Sequence, residues 1–470
     1  MAGEDRGTPS KGRRATTSPF SLGTSSSIML SAAIVLGLFT VCIVGFSMHT
    51  LMLEERAHND GREVLPGNDH HLAGDKKTIM KTLPIKNKRI EAAVEKEEDK
   101  SSLGLPESIK TSFTPLLRPG CADKSPDCLK WAADGNCRKN PAHMFTECLA
   151  SCGGCDAAYK HAVPQSIELR YRQKMPTLGF GTAGLGTKTK EIVKMALKEG
   201  YRRIDSAQAR EWYREDLVGA AVRAVSSTIP RDQIFITTKV HPRDLGSHAT
   251  KAAIEKSLKD LKTNYLNLVL LHYAECWGDL CQGESPEGTW EESWAELEAL
   301  VAQGIIRSIG VSNFSIQQLA SLLSIATIKP SLVQSNYEPL RPARGLQAFC
   351  ERNGIQFESY STLGGQYGGD PTVQGKNPVL EHPEIVALAE KKQKTPAQIV
   401  LRWALQLGQT VVPRTTRVGH MRENTATFDF DLTDDDMNVL ESLAGGGRGT
   451  AINTNTDTAG SGVAVDGRNE

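Results

Sequence analysis

YRRIDSA at 201–207, IFITTKV at 234–240 and LNLVLLHY at 266–273 share one construction. Each is a short run of β-branched or apolar residues that reaches a polar side chain near its end: Asp205, Lys239 and His272. Bounded apolar runs of about four to eight residues read as buried strands. Further along, IRSIGVSNF (306–314), SLVQSNY (331–337), GIQFESYS (354–361) and TVVPRT (410–415) repeat the pattern, and LGFGTA (178–183) precedes them all. Between them, TKAAIEKSLKDLK (250–262) and TPAQIVLRWALQLG (395–408) carry apolar residues at helical spacing. Eight strands alternating with helices over about 280 residues is the length and rhythm of an α/β (β/α)8 TIM barrel, here spanning 165–445.

Active sites of such barrels lie at the carboxyl ends of the strands. Asp205, Lys239 and His272 fall there, followed by Ser312 and Asn313, Gln334 and Asn336, Tyr360 and Ser361, then Arg414 and Thr415. Taken singly, Lys239 reads as a solvent-facing lysine and His272 as a satisfied core histidine. Polar groups gathered at one rim are what a catalytic mouth requires.

From LGFGTAGL to the end of the barrel the chain resembles the aldo-keto reductase family. The motifs that carry the resemblance are IDSA, TTKV, LNLVLLHY, GIIRSIGVSNFS, QSNYEPL, YSTLGG and VVPRT followed by REN. The resemblance implies reduction of an aldehyde or ketone to an alcohol by hydride transfer from NADPH. It places Asp205, Lys239 and His272 in the family's catalytic tetrad. The fourth member, a tyrosine, belongs five residues after the aspartate, where this chain has Arg210. Aligning Glu215 and Gly219 puts Trp212 in the tyrosine column with Tyr213 beside it, in a loop two or three residues longer. Only a hydroxyl can do the job, so Tyr213 is the expected general acid. A free phenol titrates near 10 and is a sluggish acid at neutral pH. A lysine ammonium against its oxygen favours the phenolate, Asp205 holds that lysine, and His272 orients the carbonyl oxygen.

The same resemblance implies the cofactor contacts. Ser312, Asn313 and Gln334 would hold the nicotinamide carboxamide and Tyr360 would stack on the ring. Thr182, Asp205 and Ser361 complete that part of the set. Pro413-Arg414-Thr415 replaces the family's Pro-Lys-Ser segment, and His420 stands where an arginine grips the 2′-phosphate of NADP. Arg414 can still pair with a phosphate bidentately. Glu423 and Asn424 fit the adenine-contacting positions. NADP is therefore expected ahead of NAD, and no metal is called for.

Six of the ten cysteines lie between Cys121 and Cys155. So short a segment has no room for a conventional core, and cross-links must replace it. Cys152 and Cys155 resemble a zinc pair, but zinc ribbons usually show two such pairs. The stretch 121–155 closely resembles the ShK-toxin-like (ShKT) domain, keeping Asp123, Trp131-Ala132, Gly135, Asn140-Pro141 and Met144 beyond the cysteines. That family's pairing would be Cys121–Cys155, Cys128–Cys148 and Cys137–Cys152; sequence alone allows fifteen connectivities. Ala142-His143-Met144 lacks the Lys-Tyr pair with which some members block potassium channels. The module reads as an accessory, with a protein partner as one use. Cys276 and Cys281 follow the fourth strand closely, and a loop disulfide or two free thiols both fit the spacing.

Residues 28–48, IMLSAAIVLGLFTVCIVGFSM, carry no charge, and about 20 residues span a hydrocarbon core as a helix. Basic residues precede the run and Glu54 and Glu55 follow, which predicts an uncleaved signal anchor. The chain is then a single-pass type II membrane protein with a disordered cytosolic tail at 1–27 and everything after the anchor in a lumen or outside. A targeting sequence for a complex plastid is the other reading. Residues 49–120 read as a charged stalk and 446–470 as a flexible tail. Lys+Arg and Asp+Glu both number 55, so no global basic field points to nucleic acid. The leading expectation is a membrane-anchored carbonyl reductase. A second reading is a barrel that binds nucleotide but is catalytically weak and serves as a sensor or interaction module; the pose of Tyr213 separates the two.

Overall fold

The computed structural model describes residues 121–155, 159–369 and 375–444. The anchor at 28–48, the stalk and both terminal tails lie outside these residues. Among the described residues no helix is long and apolar enough to cross a membrane.

Strands β3 (Phe180–Gly181), β4 (Arg203–Asp205), β5 (Phe235–Val240), β6 (Leu268–Leu271), β7 (Ile309–Ser312), β8 (Leu332–Asn336), β9 (Gln356–Tyr360) and β10 (Thr410–Val411) form one parallel sheet in sequence order. Leu178 bridges Val411, so the first strand meets the last and the sheet closes into the expected barrel. The strands are buried on both faces, which is why β6 is apolar throughout. Helices α4 (Thr189–Lys198), α5 (Glu215–Ala224), α6 (Ser247–Leu261), α7 (Trp290–Ala302), α8 (Ile316–Ile325), α9 (Arg344–Arg352), α10 (Pro383–Lys392), α11 (Pro396–Gln406), α12 (Val418–Thr425) and α13 (Asp434–Ser442) complete the barrel domain. Capping boxes open α7 at Thr289 and Glu292, α8 at Ser315 and Gln318, and α11 at Thr395 and Gln398. Gly219 lets α5 approach α6: a Cβ there would lie 2.3 Å from the Asp260 carbonyl.

A hairpin not anticipated from the sequence, β1 (Ser166–Glu168) and β2 (Lys174–Pro176), precedes the first barrel strand. Its Met175, with Leu169, packs on Phe235, Leu268, Leu270 and Leu332 in a separate apolar cluster. Phe235, Leu268 and Leu332 open their strands, so the hairpin stoppers the end opposite the polar rim.

The six-cysteine module has helices α1 (Cys128–Ala133), α2 (Asn136–Lys139) and α3 (Pro141–Glu147). Its disulfides are Cys121–Cys155, Cys128–Cys148 and Cys137–Cys152, the pairing implied by the ShKT resemblance. Asp123 accepts the backbone N–H of Ser151 at 2.9 Å and bonds its hydroxyl, joining the two ends of the module. Trp131 meets His143 edge to face, and Met144 is buried. The module does not stand apart. Phe145 of α3 packs edge to face on Phe349 of α9 at 5.5 Å, with the Arg352 guanidinium 5.2 Å from its ring centre. Gly345 admits the α3 backbone, since a Cβ there would lie 2.2 Å from the Phe145 carbonyl oxygen. The cysteine core and the barrel's helical layer form one continuous apolar cluster.

Candidate active site

Register brings the polar strand ends together. Asp205 pairs across with Thr237, Lys239 with Leu270, and Ser312 with Gln334. Lys239 is buried and donates to Asp205 Oδ1 at 2.5 Å and to the Ser206 carbonyl at 3.0 Å. Its ammonium lies 5.3 Å from the centre of the Tyr213 ring. The Tyr213 ring meets His272 edge to face at 6.2 Å. The structure therefore brings Asp205, Tyr213, Lys239 and His272 to one mouth. Among the described residues, these ring contacts are made by Tyr213 and not by Trp212.

The electrostatics refine one expectation. Burial first, and then the Asp205 carboxylate, push the Tyr213 phenol above its ordinary range, with Arg414 opposing. Burial lowers Lys239, and Asp205 counters that. The lysine charge is thus largely answered by its carboxylate, and Tyr213 keeps its proton. His272 is driven well below 6.5 by burial, with Lys239 and His241 adding to the shift, so its imidazole is neutral. Two neutral donors, a phenol and an imidazole, face the same space.

A buried chain of polar groups runs below this mouth. Gln334 Nε2 donates to Asp205 Oδ2 at 2.9 Å and to Glu358 Oε1 at 2.7 Å. Glu358 accepts from Thr410 at 2.7 Å and pairs with Arg203, both fully buried. The Gln334 amide links the two carboxylates, and a cation closes each end, Lys239 on Asp205 and Arg203 on Glu358, so each buried charge has an opposite neighbour.

The cofactor set is brought together unevenly. Asn313, at φ 58°, donates from Nδ2 to the His272 carbonyl and to Ser312 Oγ, both at 3.0 Å. Its Oδ1 accepts the Tyr360 hydroxyl at 2.7 Å. This leaves the Ser312 hydroxyl proton, Gln334 Oε1 and the second lone pair of Asn313 Oδ1. One donor with two acceptors matches a carboxamide, whose oxygen accepts and whose NH2 donates twice. The residues therefore fit a nicotinamide head. Ser361 lies beside Tyr360 at φ 52°. Thr182 N–H and hydroxyl both donate to the Asp205 carbonyl, at 3.1 and 2.8 Å. It holds the Asp205 main chain and has no proton left for a cofactor.

At the start of α12, Arg414 is exposed, and Thr415 Oγ1 lies 3.4 Å from His420 Nδ1. Glu423 is part-buried on the helix. Asn424 is buried and hydrogen-bonded with the Tyr201 hydroxyl. Sequence reasoning missed Arg417, whose N–H donates to Thr415 Oγ1 at 3.1 Å and which adds a second exposed guanidinium at this helix start. The signal was present in the repeated basic spacing of RTTR. It also missed Tyr273, which stacks on His272 at 5.1 Å and meets Trp277 edge to face at 5.8 Å. Cys276 and Cys281 form a disulfide around Trp277. Asn313, in the sequon Asn313-Phe314-Ser315, is only 8% exposed, as its place in a cofactor motif suggests.

Comparisons with known proteins agree with this geometry. The sequence model of the Aldo/keto reductase family matches residues 177–444, and that of ShK domain-like segments matches 120–155. The chain is 37% identical over 274 residues to the uncharacterized oxidoreductase YtbE of Bacillus subtilis, covering 57% of this chain and 89% of that protein. It is 35% identical to aldo-keto reductase family 1 member A1 of Gallus gallus, covering 59% and 88%, and 34% identical to glyoxal reductase of Bacillus subtilis, covering 60% and 94%. Among solved structures, an aldo/keto reductase from Brucella melitensis superposes with a TM-score of 0.52 at 33% identity, covering 60% of this chain and 99% of that one. With the barrel, the rim and the family match in agreement, the chain belongs to the aldo/keto reductase family and carries an ShK-like domain ahead of its barrel.

Proposed function

We propose that this chain reduces an aldehyde or ketone to an alcohol with NADPH, with Tyr213 as the proton donor. The observation that carries the reading is the packing of the Tyr213 ring against both Lys239 and His272, despite the altered spacing of its loop. Bound NADPH would supply the hydride. Ser312, Asn313 and Gln334 would hold its carboxamide, Tyr360 would lie against the ring, and Arg414, with Arg417, would meet the 2′-phosphate. The neutral His272 donates a hydrogen bond to the carbonyl oxygen and fixes its direction. Charge develops on that oxygen as carbon is reduced. An alkoxide is a far stronger base than a phenolate, so the Tyr213 proton moves downhill even though burial raises the phenol. The Lys239 ammonium, held by Asp205, then faces the phenolate left behind.

The test is turnover of a panel of aldehydes and ketones by the purified chain, glyoxal included because a relative bears its name. Wild type should consume NADPH. Tyr213→Phe should lose about 10²- to 10⁴-fold in kcat while its tryptophan quenching by NADPH persists. Binding without turnover on every carbonyl would favour the catalytically weak, nucleotide-sensing barrel. We also place the chain as a type II membrane protein with the barrel in an oxidising lumen. Support comes from the apolar run 28–48 with basic residues before it, and from four disulfides downstream. Protease protection of the barrel in sealed membranes checks that placement.

A further inference from the structure

Tyr213 stands on an irregular segment between β4 and α5 that is longer than the family spacing allows for. Inside this segment the backbone closes on itself: the N–H groups of Trp212 and Tyr213 both donate to the Ala209 carbonyl, at 3.0 and 2.8 Å. These bonds shape the turn but do not attach it to the barrel. Gly184 N–H donates to the Trp212 carbonyl at 2.6 Å on one side. On the other side Gln208 ties the start of the segment, its N–H donating to the Lys239 carbonyl at 3.2 Å and its amide to the Ala253 carbonyl and Ser257 hydroxyl, both at 2.9 Å. Nearer the tyrosine a side chain, Glu211, two residues before Tyr213, is attached as well. Its carboxylate accepts both Arg243 guanidinium nitrogens, at 3.0 and 3.3 Å, and the Gln282 amide at 3.3 Å. Arg243 follows β5, the strand that carries Lys239. Gln282 directly follows Cys281, which is buried and bonded to Cys276 in the loop after His272. Gln282 is exposed and adopts φ 52°, an uncommon backbone conformation for a non-glycine residue.

We infer that Glu211 is a positioning residue for the proton donor, and that the disulfide-closed loop 276–282 acts through it to hold the Tyr213 segment against Lys239 and His272. The inference rests on Tyr213 being the acid. The layout supplies the reason for a cross-link in this place. A lengthened catalytic segment has more conformations to lose, and a misplacement of about 1 Å can cost on the order of 10²-fold in rate. The six-membered run from Cys276 to Cys281 limits where Gln282 can go, and Gln282 and Arg243 grip Glu211 from two loops at once. The loops that follow the lysine and histidine strands thus also hold the segment that carries the tyrosine. The arrangement makes turnover sensitive to the redox state of one disulfide, Cys276–Cys281, which is separate from the three of the ShK-like module.

The test uses the full chain with Glu211→Ala, Gln282→Ala and the double Cys276→Ser/Cys281→Ser substitution. Each should lower kcat about tenfold while the NADPH affinity read by tryptophan quenching stays within about twofold. Combining Gln282→Ala with the cysteine pair should add little, because both cut the same link. Glu211→Gln, which keeps an acceptor oxygen, should restore most of the turnover. Backbone amide exchange at 209–213 should quicken in the first three variants, a readout that stands even if no carbonyl is turned over. A wild type without turnover would overturn the reductase reading, and exchange alone would then decide whether the two loops are coupled. Unchanged exchange and kcat in Glu211→Ala and Gln282→Ala would overturn the inference. So would losses that add independently or that track NADPH affinity.

Discussion

His272 and Tyr213 show what a residue's surroundings do that its spacing cannot announce. Burial, Lys239 and His241 keep His272 neutral well below pH 6.5, and burial with Asp205 keeps Tyr213 protonated. Both donors therefore stay armed as pH falls, and kcat/KM for reduction should remain flat from pH 8 through 6.5. A half-drop near 6.5 would mean that His272 titrates like a solvated imidazole. The stability consequence has the opposite look. Burial, helped by Arg243, lowers His241 to about 4, so the unfolded chain takes a proton near 6.5 that the folded chain refuses. The resulting stability is present above 6.5 and is lost as pH falls from there toward 4, by up to about 3 kcal/mol. Thermal melts across that range, compared with His241→Asn, check the sign. Asp205, Lys239 and His272 were legible because strand ends in a barrel converge on one rim. Tyr213 was legible only by elimination, since hydroxyl chemistry excluded Trp212. The hydrogen bonds of Thr182 to the Asp205 carbonyl and the burial of Asn424 beside Tyr201 were not readable, because a sequence does not say which carbonyl or phenol engages a polar group. Glu211 gave no signal, since its partners come from two loops distant in the chain.

Among elements, the strands were readable from their apolar runs because a parallel sheet covered on both faces demands such runs. The hairpin at 166–176 was not, for its short strands carry Lys174 and Glu168 beside Met175 and leave little alternation to see. Its contribution can be measured: Met175→Ala removes a fully buried side chain from the floor cluster and should cost about 2–5 kcal/mol. Denaturant midpoints would show it; a loss under 1 kcal/mol would mean the floor recloses, on the scale of large-to-small core changes. The seam between α3 and α9 has the same kind of precision. Gly345 faces a carbonyl oxygen at a distance no Cβ tolerates. Gly345→Val should part the module from the barrel, seen as faster proteolysis between residues 155 and 165, while Gly419→Ala, at an exposed position where a Cβ meets nothing within 4 Å, should leave the seam intact.

On the scale of the molecule, the ShK-like module is part of the barrel's outer layer and not a pendant. Its three disulfides close loops of 34, 20 and 15 residues, each contributing about 3–4 kcal/mol in a chain-entropy account. Removing residues 121–155 should uncover Phe349 and Ala348 on α9 and lower both melting temperature and soluble yield. An unchanged melt in the truncated chain would show the seam to be dispensable. The module could be recognised from its cysteines, but its docking could not, because Phe145 and Gly345 are unremarkable until the two helices are placed together. That seam also sets an order of events during synthesis. The module emerges early and can cross-link within its own 35 residues, yet its seat on α9 is completed only when the chain reaches Arg352. At translation speeds of about 5–20 residues per second, the apolar side bearing Phe145 waits on the order of 10–40 seconds without a companion. A nascent chain that stalls in that interval presents an oxidised, folded module with a sticky face, a species for quality control to hold or discard.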